Sequence, residues 1–142
     1  MTVLAAISGG KKPDRVVAVG ADLAGAFESE LVVINVISDE EFSARQEGIT
    51  NYTIERAETD AATKAQSVVV ETVEETAAIT TEGYVGGVAE EILSAGREHD
   101  ANYLVIGGRK RSPTGKALFG STTQRVLLAS DRPVVTVMEN TT

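Results

Sequence analysis

The sequence predicts an α/β protein: an open five-stranded parallel sheet with helices on both faces. Three observations predict it. Short runs of strand character recur at 3–7, 31–37, 76–81, 104–106 and 134–138, and the apolar, β-branched ones suit strands covered on both faces. Segments with helical apolar spacing separate these runs, and that alternation makes parallel sheets. The fourth run opens into a basic, glycine-containing stretch that ends where a helix can begin.

The elements follow in order. Val3, Leu4, Ala5, Ala6 and Ile7 make the first strand, and Ser8-Gly9-Gly10-Lys11-Lys12-Pro13 the turn after it. Pro13 is placed to open a helix, whose packed face carries Val16, Val17, Val19, Gly20, Leu23 and Phe27. Asp14 and Asp22 fall on this helix as solvated acids. Residues 31–37 form the second strand; 38–48, polar and acidic, read as a long loop. From Asn51 to about Val70 a helical period runs through Ile54, Ala57, Ala61, Ala65 and Val68. Residues 76–81 make a short strand. Val85, Val88, Ala89, Ile92, Ala95 and Gly96 mark a third helix ending near Asp100, with Gly86 and Gly87 serving close packing or a flexible start. Leu104, Val105 and Ile106 form the fourth strand, a fourth helix ends near Ala129, and Val134, Val135, Thr136, Val137 and Met138 form the last strand. The first, second and fourth strands are expected at the centre of the sheet.

The 142 residues suit one domain, 1–142, large enough to bury a core without staples. No apolar run approaches the roughly 20 residues that cross a bilayer. The chain enters its first strand without a basic segment or cleavage signal, so a cytoplasmic location is expected. There is no cysteine, which removes disulfide and thiol chemistry, and His99 is the single imidazole, so no metal centre is expected. His99 falls in the last turn of the third helix, where a surface role suits it. The net charge is −8, and between Ser38 and Glu75 ten acids face three bases. Such a surface repels nucleic acid and membranes.

The chemistry concentrates in the stretch from Leu104 to Thr122. Strand, basic glycine loop and helix start together make an anion site, because free N–H groups and the positive helix end face the loop. Ser121 can cap that helix, with Gln124 completing a capping box. A P-loop does not fit: Gly115-Lys116 matches its end, but Lys110 and Ala117 stand at the other required positions. The dinucleotide fingerprint G-x-G-x-x-G is absent. A third pattern is Gly, two residues, Gly, nine residues, then Gly-Ser/Thr. Gly107, Gly120 and Ser121 fall on three of its positions, and Lys110 on the fourth. In this pattern and in its order of elements, the chain resembles the universal stress proteins.

The resemblance implies a sheet order of 3-2-1-4-5, an adenine-nucleotide alpha-hydrolase-like fold, and a topological switch point between the first and fourth strands. It also implies a regulator that binds an adenine nucleotide, ATP or AMP, with magnesium accompanying ATP and with little or no catalysis. Carried onto this sequence, Gly107, Gly120, Ser121 and Thr122 hold phosphate and ribose, Ile106 lies beside them, and Val36 lies near the base. In Ala6-Ile7-Ser8-Gly9, Ser8 stands where the family carries an Asp, as Lys110 stands where it carries a Gly. If the first and fourth strands adjoin, Lys11, Lys12, Arg109, Lys110, Arg111 and Lys116 converge on one crevice of an acidic chain, which independently favours an anionic ligand.

Ser8 and Lys110 leave a second function open: a dimeric interaction module of the same family that holds no nucleotide. The last strand, Val134 to Met138, is apolar and falls at a sheet edge in the implied order. Homodimerisation through it is expected.

Overall fold

The structure is a computed structural model, and the residues it describes are 1–75, 78–110 and 119–140. In chain order the elements are β1 (Thr2–Ile7), α1 (Arg15–Ala26), β2 (Glu30–Ile37), α2 (Asp39–Gly48), α3 (Ile54–Thr72), β3 (Ile79–Val85), α4 (Val88–Glu98), β4 (Tyr103–Lys110), α5 (Ser121–Ala129) and β5 (Val134–Asn140). The strands form one sheet of order β3-β2-β1-β4-β5, and every pairing is parallel. The expected class, strand order and central strands are what the chain adopts.

β1 explains why helices cover both faces. Val3, Ala5 and Ile7 join a core with Val16, Val17, Val68 and Val69 from α1 and α3. Leu4 and Ala6 join a second core with Ile92, Ala95 and Val126 from α4 and α5. Alternate residues of a strand point to opposite faces, so one all-apolar run serves two cores. Each large aliphatic side chain buried this way contributes about 1.5–3 kcal/mol.

Residues 38–48 are not a loop. Ser38 caps α2 by accepting from the Glu41 N–H at 3.1 Å. Asp39, Glu40 and Glu41 sit in its first turn, where negative charge suits the helix dipole. Arg45 pairs with Glu41 one turn back, at 3.0 Å. No residue of α2 is buried, so the helix carries no apolar period to read.

Other boundaries shift. β3 runs Ile79–Val85, past the expected strand end at 81 and through Val85, expected in the third helix; Thr76 and Ala77 lie outside the described residues. α3 lies hard against β3: a Cβ on Gly83 would sit 2.1 Å from the Glu58 carbonyl oxygen. Gly83 is therefore a packing residue inside a strand, not a stop. β4 likewise continues through Gly107 and Gly108 to Lys110, pairing in register with β5 as far as Asn140. A Cβ on Gly108 would come within 2.7 Å of the Met138 Sδ, so this glycine fits its neighbour rather than ending the strand. Gly86 has φ +154°, which favours glycine, and Gly87 is the N-cap of α4.

Asp14 is not a solvated helix residue. Lys12–Pro13 is a cis peptide bond, α1 begins only at Arg15, and Asp14 precedes it as an extended N-cap, 7% exposed. Ser121 is not the cap of α5. That place is held by Gly120, with φ −63°, ψ 164° and no side-chain cap bond. The Gly120 carbonyl accepts from the Gln124 N–H at 3.0 Å, and burial of Thr123 and Val126 fixes the phase of the helix.

Among the described residues no helix is long and apolar enough to cross a membrane.

Candidate functional site

β1 lies between β2 and β4, so the chain leaves it in opposite directions and its carboxyl end opens into a crevice. The crevice is about 610 Å³, within the usual range for small-molecule sites. Ala6, Ser8, Val36, Ile106, Gly107, Gly120, Ser121 and Thr122 all line it. These residues lie far apart in sequence, and the parallel sheet brings them to one place. Lys110 is the final residue of β4. Beyond it, 111–118, with Arg111 and Lys116, lie outside the described residues.

Four helices begin at this crevice, and their N-termini differ. α2 is capped by Ser38 and carries Asp39, Glu40 and Glu41 in its first turn. α1 is closed: the Asp14 Oδ1 accepts from the Val17 N–H at 3.1 Å, and the Asp14 N–H donates to the Thr72 Oγ1 at 3.0 Å. α4 has no side-chain cap but carries Glu90 and Glu91 in its first turn. Burial first, then Glu58 and Asp39, push the Glu91 carboxyl above its usual range. α5 has neither a side-chain cap nor an acid in its first turn. Among the described residues, an anion meeting these helices finds uncapped N–H groups and an uncompensated dipole at α5.

A buried hydrogen bond fixes the start of α5 against the sheet. The Thr123 Oγ1 donates to the Gly107 carbonyl at 2.8 Å. The two glycines of the expected motif are thereby held on adjacent walls. On the same face Val36, Val88, Ile92 and Ile106 offer an apolar wall, against which a flat ring can be buried.

The sequence reading missed several wall residues. Asp14, Asn35, Glu41, Arg45 and Lys64 all line the crevice. The buried Asn35 donates its Nδ2 to the Ala61 carbonyl at 3.3 Å. Arg45 reaches Glu41 and Asp60 at 3.0 and 3.8 Å and donates to the Tyr52 Oη at 3.0 Å, a contact that binds its proton more firmly. Ser38-x-x-Glu41 is a capping signature that could have revealed α2 and therefore Arg45. For Lys64 no local signal existed, because a helical crossover carries it to the site.

The basic residues expected here divide. Lys11 lines the crevice, whereas Lys12 is drawn to the Ser67 Oγ on α3. His99 caps the C-terminus of α4 and its Nε2 meets the Glu82 Oε1 at 2.7 Å, away from the crevice. Among the described residues no group of three potential ligands forms a metal site.

Comparison with known proteins agrees with this fold. The model of the universal stress protein family matches residues 1–138. A universal stress protein of Mycolicibacterium smegmatis is 52% identical over 48 residues, 34% of this chain and 37% of that protein. The matched segment thus spans little more than a third of that relative. Among solved structures, a universal stress protein in complex with cAMP is 19% identical with a TM-score of 0.59, covering 96% of this chain and 95% of its own. The universal stress protein from Archaeoglobus fulgidus in complex with dAMP is 18% identical with a TM-score of 0.54, covering 96% of each chain. These two likenesses establish the fold: an open parallel sheet of order 3-2-1-4-5 with helices on both faces.

Proposed function

We propose a nucleotide-binding role on one premise: the chain belongs to the universal stress protein family. The ligand is an adenine nucleotide, ATP or AMP. Its phosphate lies on the N-terminus of α5, and its base lies against the apolar wall of Val36, Val88 and Ile92. Magnesium, when ATP is bound, rides on the phosphates. The observation that carries this reading is the open start of α5, held beside Gly107 by Thr123 at a crevice of nucleotide size. Relatives of the same fold hold cAMP and dAMP, which is consistent with an adenylate here.

Ser8 replaces the family's Asp with a single hydroxyl, which keeps a polar contact but gives up a carboxylate's acceptors. The crevice acids Asp14 and Glu41 are engaged with the α1 cap and with Arg45, so neither is poised as a general base. The protein is accordingly a binder with little or no turnover.

The test is direct. Denaturing the purified protein and analysing the supernatant by mass spectrometry should release AMP, ADP or ATP. Calorimetry on ligand-free protein should then show binding. Failure of AMP, ADP and ATP to bind at millimolar concentration would overturn the reading.

One observation favours the second reading, association of two copies. β5 is an edge strand, and on α5 Leu128 is 81% exposed. An open edge strand invites a partner, and a homodimer through Val134 to Met138 follows. Light scattering at micromolar concentration should give twice the monomer mass.

A further inference from the structure

Lys64 has no counterpart in the reading above. It sits on α3 and lines the crevice, half-buried. Gly10 leaves room for its stem, since a Cβ there would come within 3.3 Å of the Lys64 Cε. The other charged groups of the described walls have partners. Asp14 holds the Val17 N–H, Glu41 holds Arg45, Arg45 also reaches Asp60, and Lys11 has a partner too. Lys64 has no hydrogen bond or ion pair among the described residues. In an acidic protein, a half-buried cation without a carboxylate at a ligand-sized opening is a place for an anion to bind.

Its position narrows the kind of anion. α3 packs on one face of the sheet, with Val68 and Val69 in the core shared with α1. α5 packs on the other face through Val126. The open helix start and the unpaired ammonium therefore flank the crevice from opposite faces, with the turn Ser8-Gly9-Gly10 in its wall between them. A ligand that meets both carries a chain of phosphates rather than a single one.

We propose that Lys64 contacts the terminal phosphate of a nucleoside polyphosphate, so that the crevice selects ATP over AMP. The inference rests on the nucleotide reading and adds a residue that chooses among nucleotides. A terminal phosphate carries the most charge, and Lys serves it as a point charge with three donors.

The test compares wild type and Lys64→Gln by calorimetry with AMP, ATP and inorganic tripolyphosphate, a thermal melt confirming that the variant is folded. Wild type should bind ATP more tightly than AMP. The substitution should weaken ATP and tripolyphosphate by about tenfold or more, the scale of one charge-assisted contact, and leave AMP unchanged. Equal weakening of AMP and ATP, or no change in any ligand, overturns the assignment. Tripolyphosphate separates the two claims. If it binds through Lys64 while neither nucleotide binds, the nucleotide reading fails and the Lys64 contact stands. If both nucleotides bind in a ratio indifferent to Lys64, the reading stands and this inference fails.

Discussion

The first turns of α1 and α5 flank the same crevice, and among the described residues only that of α1 has a side-chain cap. At α1 a buried carboxylate fills the anion position, accepting the Val17 N–H at 3.1 Å. At α5 the cap residue is Gly120, which has no side chain to offer. Two helix starts with the same dipole thus have opposite uses. One is satisfied within the fold; the other has no side-chain cap among the described residues, and we propose that a ligand takes it. The difference shows that a helix N-terminus marks a binding site only when nothing else has claimed its donors.

The largest effect should come from making the second start like the first. Gly120→Asp places a carboxylate where the phosphate would sit. Losing the charge-assisted contacts should cost about 1.5–3 kcal/mol, roughly 10- to 150-fold in affinity, and like-charge repulsion adds to that. Fold stability should hold, because Asp is at least as good an N-cap as Gly. Calorimetry with AMP and a thermal melt of the same sample separate the two effects.

The reverse change tests the closed start. Asp14→Ala removes a buried cap and should destabilise by about 1–2 kcal/mol, visible as a lower urea midpoint with unchanged slope. A loss of AMP binding without any loss of stability would instead make Asp14 a ligand contact.

Thr123→Val tests the tie that holds the open start in place. It removes the donor to the Gly107 carbonyl at nearly constant volume. About 1 kcal/mol of stability should be lost, with more if the carbonyl stays dry. AMP affinity should fall as α5 loses its anchor on β4.

Ser121→Ala should do least. The exposed Ser121 is the first helical residue rather than the cap, so stability should move by no more than about 0.5 kcal/mol. A loss near 1 kcal/mol in urea titration would show that Ser121 caps the helix after all.

Much of this comparison could be read in the sequence, and the exceptions have physical causes. β1, β2 and β4 are covered on both faces, so they appear as unbroken apolar runs. The sheet order and the convergence of Ser8, Val36, Gly107 and Gly120 followed from the family resemblance. α2 was missed because none of its residues is buried. The ends of β3 and β4 were misplaced because Gly83 and Gly108 serve close packing inside strands, a role that composition does not separate from a turn. Both caps shifted: a helix start at Pro13, two residues early, hid the role of Asp14, and a cap at Ser121, one residue late, hid that of Gly120. Lys64 enters the crevice only through the packing of α3. The motif's loop at 111–118 lies outside the described residues.

The central claim is that an anion binds the open start of α5 and not the closed start of α1. The most direct measurement is an amide ¹H–¹⁵N titration of the wild-type protein with AMP. Saturable shifts should be largest at Ser121, Thr122, Thr123 and Gly107, with Arg15, Val16 and Val17 little changed. Shifts centred on Arg15 to Val17, or none at either helix start, would contradict the account.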